Sequence, residues 1–322
     1  MHSNQSDGRL QNEDKVSTSW LVPSHMHGLR ADQYLKRRIG RISRARVQSI
    51  IESSDFMLDN VAVKKSSRVK GGQTATLKRW APDASIDVDG FTVEIVFDSD
   101  DLLVVNKPPG LSIHPSANCL YKTLTHWLRK NYPGQKINPC HRLDKETSGL
   151  LICAKNRLIE SKIKRAFMLG LVKKTYLAIV NGVMSKSTTV AIPLALQGER
   201  GLVAIRMIKD DHGKPAITKA RPVRISEQLN RSLVLCRPLT GRQHQIRAHL
   251  SLIGHPIVGD KLYEMGDEYF DQLSKRQEVC PKELAHPRHA LHAARLRLRL
   301  GNECYTFFSH LPNDLAGLIA TP

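Results

Sequence analysis

Asp144 is the residue of this 322-residue chain whose neighbours are best suited to chemistry. It lies in His141-Arg142-Leu143-Asp144-Lys145-Glu146-Thr147-Ser148-Gly149-Leu150, with His141, Arg142 and Lys145 close by in sequence. A nearby cation favours the ionised carboxylate, the form that acts as nucleophile or base. Leu150 to Ala154 is a short apolar run rich in strand formers, and Thr147-Ser148-Gly149 is turn chemistry feeding it. Asp144 therefore falls on a loop at the mouth of a strand, where functional groups concentrate. The same residues also fit an ordinary turn, with Asp three positions before Thr. Arg247 flanks the helical stripe Ile246, Leu250, Ile253, so its guanidinium fork either reaches inward toward a carboxylate or stays on the surface of a basic protein. Tyr176 shares a strand face with Ala178 and Val180, a placement that an ordinary half-buried core tyrosine also satisfies.

The segment around Asp144 resembles the catalytic motif of the RluA-type pseudouridine synthases, which reads His-Arg-Leu-Asp, two variable residues, then Thr-Ser-Gly-Leu-Leu. Asn106-Lys107-Pro108-Pro109-Gly110-Leu111, followed by His114-Pro115, is similar to the family's first motif. Thr240-Gly241-Arg242-Gln243-His244-Gln245-Ile246-Arg247-Ala248-His249 matches a third, in the right order. Gly213-Lys214-Pro215-Ala216 with Thr218, Gly254-His255-Pro256-Ile257 with Gly259-Asp260, and His289-Ala290-Leu291-His292-Ala293 continue the likeness, which spans residues 28 to 315. It implies an α+β fold, a mostly antiparallel β-sheet catalytic domain flanked by helices. It also implies isomerisation of uridine in RNA, without a cofactor, after the target base is flipped out of its stack. Residue by residue it makes Asp144 catalytic, Arg247 its ionic partner, Tyr176 the ring packed on the target base, and Arg142 the side chain that fills the vacated space. His141, Arg242 and Lys107, from the same motifs, are expected against the RNA. The family acts mostly on large-subunit ribosomal RNA, with some members acting on transfer RNA.

Composition agrees with such a partner. There are 49 Lys+Arg against 30 Asp+Glu, a formal charge of +19, with a sequence pI near 9.9. That is the electrostatic footprint of a nucleic-acid binder. No basic amphipathic helix with a bulky apolar face supports a membrane-surface reading, and no apolar run is long enough to span a bilayer. The polar start, Met1 to Lys15, has no apolar signal-peptide core, so the cytoplasm is the expected location. The six cysteines lack metal-ligand spacing and are expected to be reduced and structural. His244 and His249, five apart, are poorly placed to share an ion on a helix, so no metal site is expected. No phosphate loop or dinucleotide fingerprint is present.

The positioning elements follow from the pattern. Residues 1–27 read as a disordered tail, 28–80 as an RNA-binding domain, 81–90 as a linker and 91–322 as the catalytic domain. Arg30 to Ile39 carries Ala31, Tyr34, Leu35 and Ile39 at helical spacing and ends at Gly40, and Ser43 can cap a second helix bearing Val47, Ile50 and Ile51. Strands are expected at Phe56 to Val63, turning at Asp59-Asn60, and at Thr74 to Trp80. Residues 30–79 hold 13 Lys+Arg against 4 Asp+Glu, about half of the net charge. Arg37, Arg41, Arg44 and Arg46 are expected to meet RNA, although such a run also fits a solvated face. Two short basic helices before a small sheet resemble the RNA-binding domain of the ribosomal-protein-S-four type, with Gly71-Gly72-Gln73 where that family has Gly-Asp. Further on, the pattern predicts a strand pair at Val93–Phe97 and Leu102–Val105, a helix capped by Thr123, a helix over Ile159–Leu169 and a strand over Lys173–Asn181. Several short strands are expected within 184–227. A monomer without an obligatory protein partner is expected. A non-catalytic ribosome-assembly factor would share the charge but would not need Asp144, Tyr176 and Arg247 together. A metal-dependent nuclease would need a carboxylate cluster.

Overall fold

A computed structural model describes residues 15–39, 44–80, 88–115, 121–198, 203, 205–274 and 284–320. The chain divides into two compact units, Met1–Ile86 with Ser116–Leu120, and Asp87–Pro115 with Tyr121–Pro322.

The first unit is a four-stranded antiparallel sheet in the order β1-β4-β2-β3, covered by two helices. Its strands are β1 (Lys15–Leu21), β2 (Phe56–Leu58), β3 (Val61–Ala62) and β4 (Thr74–Trp80), and its helices are α1 (Ala31–Ile39) and α2 (Arg44–Glu52). The helical spacing delivers Ala31, Tyr34, Leu35, Val47 and Ile51 to a core completed by Phe56, Leu58, Ala75 and Leu77, while Ile39 stays exposed. Asp59 and Asn60 both have positive φ (50° and 64°), the requirement of a two-residue hairpin turn. Gln73 accepts from Lys70 N (2.7 Å) and donates to Asp59 Oδ2 (2.9 Å), so Gly71-Gly72-Gln73 fixes the register of β4 against β2. One expectation fails here. Lys15–Leu21 was expected within a non-periodic tail, yet as β1 it pairs along its whole length with β4, from Lys15 opposite Trp80 to Leu21 opposite Thr74. Gly40, Arg41 and Ser43 lie outside the described residues, as does the side chain of Arg46.

The second unit is built on a ten-stranded sheet. In chain order its elements are β5 (Glu94–Asp98), β6 (Leu102–Lys107), α3 (Leu124–Asn131), β7 (Asn138–Pro139), β8 (Ser148–Ala154), α4 (Arg157–Met168), β9 (Lys173–Asn181), β10 (Thr188–Val190), β11 (Leu194–Leu196) and β12 (Met207–Lys209). They continue with β13 (Thr218–Ser226), β14 (Arg231–Pro238), α5 (Gln245–Leu252), α6 (Asp267–Ser274), β15 (Leu291–Leu300), β16 (Glu303–Phe308) and α7 (Asn313–Ala316). The order is β10-β13-β14-β9-β15-β8-β6-β5, with β16 beside β15 and β7 beside β8, and β11 pairs with β12 separately. Every pair is antiparallel except β15 with β8.

The continuous apolar runs of β6 and β8 are explained by burial on both faces. Leu103, Val105, Leu151 and Cys153 pack with α3 and α5 through Leu124, Trp127, Leu128, Ile246 and Leu250. Their alternates Leu102, Val104, Leu150 and Ile152 pack with α4 through Ile159 and Ile163. Thr123 caps α3 as expected, its Oγ1 accepting from His126 N, and α4 starts two residues before the predicted helix because Asn156 caps it. In β5 the expected alternation is broken by a register shift between Ile95 and Phe97, which leaves Ile95 48% exposed. Most of the expected linker lies outside the described residues, but Val88 at its end is buried in the core of this second unit. Among the described residues, no helix is long and apolar enough to cross a membrane.

Candidate active site

Asp144 sits on the loop that enters β8, and five neighbouring segments fix it there. Thr147 N donates to Asp144 O (3.1 Å), closing a turn. Gly110 N and Lys107 Nζ both donate to Lys145 O, at 2.8 and 3.1 Å. Glu146 is held by Lys261 and by the His289 amide, and the Arg288 Nη1 group donates to Glu146 O. Burial raises the Glu146 pKa, but His289 and Lys261 outweigh it and bring it down to about 2. The Thr147 hydroxyl bonds to His289 Nε2 (2.8 Å) and the Ser148 hydroxyl to His292 Nδ1 (3.0 Å). Gly149, at φ +112°, lies so close to β15 that a Cβ would stand 2.4 Å from Ala293 O, which only glycine permits. Thr-Ser-Gly therefore begins the strand and clamps it to β15, where the sequence suggested only a turn.

Arg247, the third residue of α5, also reaches the loop. Its Nη1 donates to Asp144 Oδ2 at 2.9 Å, while Nε and Nη2 grip Asp260 at 2.7 and 2.9 Å. Asp260 is fully buried and also accepts from Leu262 N and Tyr263 N, each at 3.0 Å. The Tyr263 ring lies 5.1 Å under the guanidinium. Of this network only Asp144 reaches solvent, with 20% of its side chain exposed against 8% for Arg247 and none for Asp260. Among the described residues, no hydrogen bond engages Oδ1 of Asp144, so one oxygen is anchored and the other is open.

The electrostatics follow from this packing. Burial pushes the Asp144 pKa up, but His244 and Arg247 act against it and the net direction is down. His244 Nε2 stands 3.8 Å from Asp144 Oδ2, at a left-handed residue (φ 49°) that opens α5. Burial, reinforced by Arg247, lowers the His244 pKa to about 4, so at neutral pH this imidazole is uncharged. The partner that keeps Asp144 ionised is therefore Arg247, whose own pKa rises because two carboxylates outweigh its burial. Tyr176 is 9% exposed on β9, and burial, then the Asp144 charge, push its hydroxyl well above the usual range, so it remains a neutral phenol.

The other sequence candidates divide. Arg142 is exposed on the Asp144 loop, and Arg242 is half-buried with Nε on Pro215 O at 3.0 Å. His141 is half-buried, its Nε2 accepting from Ile152 N at 3.0 Å and its ring packing 4.6 Å from that of Phe167. Burial and Lys174 drive its pKa to about 3. Lys107 is corrected from an RNA contact to an internal clamp. It is fully buried, and its Nζ donates to Pro108 O, Leu111 O and Lys145 O. Burial and Arg288 lower its pKa to about 7, yet three carbonyls match the three donors of an ammonium. Arg37 and Arg44 line a groove between α1 and α2 with Arg30 and Lys36, separately, in the first unit. Glu146, Lys261 and Tyr263 were not singled out from sequence, and Asp260 was named only as part of a family-like segment, without a role. The available signal was Asp260 itself, the first acid after Glu227 in a long basic stretch and thus a natural partner for an inward arginine. Among the described residues, no group of three or more His, Cys, Asp or Glu could hold a metal ion.

Residues 101–252, which include the motifs of Lys107, Asp144 and Arg247 but not those of Asp260 and His289, match the family model described as RNA pseudouridylate synthase. The chain is 33% identical over 321 residues to ribosomal large subunit pseudouridine synthase D of Nitrosomonas europaea, covering 97% of this chain and 89% of that one. The chain belongs to the RNA pseudouridylate synthase family. A second synthase D, from Haemophilus influenzae, is 30% identical across 95% of this chain and 94% of its own. The solved structure of human RNA pseudouridylate synthase domain containing 1 is 30% identical, with a TM-score of 0.54 over 72% of this chain and 96% of that one. This pseudouridine synthase is accordingly an isomerase with an α+β, mostly antiparallel catalytic fold.

Proposed function

We propose that this synthase isomerises a uridine of large-subunit ribosomal RNA, with Asp144 as the catalytic carboxylate. The observation that supports it best is the Arg247 bridge: a permanently charged fork anchors one oxygen of Asp144, and among the described residues the other oxygen accepts no hydrogen bond. An ionised, oriented carboxylate with a free oxygen can attack the nucleotide or remove a proton from it. Arg247 acts through Asp144, and Tyr176 offers a neutral ring for the flipped base. Arg142, exposed on the same loop, is placed to enter the space that base leaves, offsetting part of an unstacking cost of a few kcal/mol. The synthase D names of the relatives favour the large subunit over transfer RNA.

The first unit is read as an RNA-positioning domain of the S-four type. Lys36, Arg37 and Arg44, around a groove where Asp32 holds Arg30 in an ion pair, are suited to phosphates, which set register without reading sequence. The protein is read as a cytoplasmic monomer needing RNA and no cofactor, with domains as laid out from sequence apart from β1. Mapping pseudouridine in ribosomal RNA from cells with and without the gene tests the assignment. At least one large-subunit site should disappear and return on complementation. An unchanged ribosomal map with a lost transfer-RNA site would move the assignment to transfer RNA.

A further inference from the structure

The corner of the sheet formed by β10, β13 and β14 carries a cluster of cations that the chemistry at Asp144 does not use. In the antiparallel register Thr189 stands opposite Lys219, and Lys219 opposite Arg237. Arg221 follows two residues along the same face, opposite Leu235. Ala220, Cys236 and Tyr176 occupy the other face, also in one row across the strands. With Ser187, Thr188 and Thr189, the three cations line a cleft of about 240 Å³. All three are exposed.

Like charges directly opposite on paired strands destabilise the pair. The described ion pairs of this unit go to other cations, so among the described residues no carboxylate relieves Lys219, Arg221 or Arg237. A bound anion would relieve them. Lysine and arginine heads beside serine and threonine hydroxyls are the donor set that phosphate oxygens take. The three exposed cations and the hydroxyls beside them favour phosphodiester over an uncharged partner.

We propose that Lys219, Arg221 and Arg237 bind the phosphodiester backbone of RNA flanking the target uridine, on the face of the sheet opposite Tyr176. This rests on the reading that the substrate is RNA. A strand that reaches this face must extend beyond the nucleotides in the active site, so the track matters for long substrates and not for short ones.

The test is the full-length K219Q/R221Q/R237Q variant against wild type, on a short stem-loop that wild type modifies and on a longer fragment with its flanks. On the longer fragment the slope of log affinity against log salt should become shallower by about two to three units, at about 0.7 to 0.9 per phosphate contact. On the stem-loop, slope and saturated single-turnover rate should be unchanged, and the unfolding midpoint should not fall. An unchanged slope on the long fragment overturns the track alone. An equal loss on the stem-loop also overturns it, since the effect would then act through the active site. Binding of polyglutamate by wild type but not by the variant, with RNA unaffected, would assign the face to an acidic protein instead. Wild type that binds no RNA would overturn the functional reading and the track together.

Discussion

Asp144, Arg247 and Asp260 form a chain of charge in which the middle member does two jobs. The bidentate grip on Asp260 aims the guanidinium, and the remaining nitrogen holds Asp144. Asp260→Asn should leave Asp144 in place but free Arg247 to move, and a misplacement on the order of 1 Å costs about 100-fold in rate. Single-turnover kinetics with RNA affinity measured in parallel check this, and a rate near wild type would remove Asp260 from the positioning network. Arg247→Met removes the cation that holds the Asp144 pKa down while burial still pushes it up. The acid limb of the rate profile should therefore move to higher pH, and unfolding free energy should fall by about 3–5 kcal/mol as buried carboxylates lose their partner. An unshifted acid limb would show that Arg247 does not set the charge of Asp144. Asp144 and Arg247 were legible as partners through the family resemblance of their motifs, since the residues alone left an ordinary turn and a surface arginine open. Lys107 was misread because a cationic residue in a motif looks the same in sequence whether it faces a ligand or three backbone carbonyls.

At the scale of elements, α3 and α4 were readable from period and caps, because each buries a single regular face, whereas α5 and β9 are buried on more than one face. The short strands β10, β11 and β12 were expected within 184–227 without bounds, since three residues carry no period. The sequence of β1 hid for a similar reason: Lys15–Leu21 is polar enough to resemble a tail, and only pairing with β4 makes it a strand. The parallel contact between β8 and β15 was also unreadable, although Gly149 marks it. Gly149→Ala should destabilise the protein by more than about 2 kcal/mol, combining strain at positive φ with overlap on the Ala293 backbone. Urea midpoints decide the matter, and an unchanged midpoint would mean that β8 can retreat from β15 at no cost.

The whole molecule stores several imidazoles in uncharged form. The pKa values of His141, His244 and His292 are brought down to about 3, 4 and 4, in each case by burial first. A group whose folded pKa lies below its unfolded value contributes stability that is complete above the unfolded value and is lost as pH falls toward the folded one. Stability should therefore decline as pH drops below about 6.5, by up to about 1.4 kcal/mol per pH unit for each histidine protonated only on unfolding. Glu146, lowered to about 2, adds to the loss below the ordinary glutamate range. Denaturant midpoints at pH 7.5, 6.5 and 5.5 measure this, and a flat series would contradict the buried neutral imidazoles. His141→Gln should flatten the decline, because an amide oxygen can accept from Ile152 N without titrating.

These scales meet in one carboxylate, since the loop clamps, the arginine bridge and the sheet all serve to hold Asp144 charged and in place. The direct test is conversion of uridine to pseudouridine by Asp144→Asn in unmodified large-subunit ribosomal RNA under single-turnover conditions, with binding followed on the same RNA. The amide keeps the shape and loses the charge, so binding should persist while the rate falls by about 10²–10⁴-fold or more. Conversion by the variant at a rate near that of wild type would contradict the account.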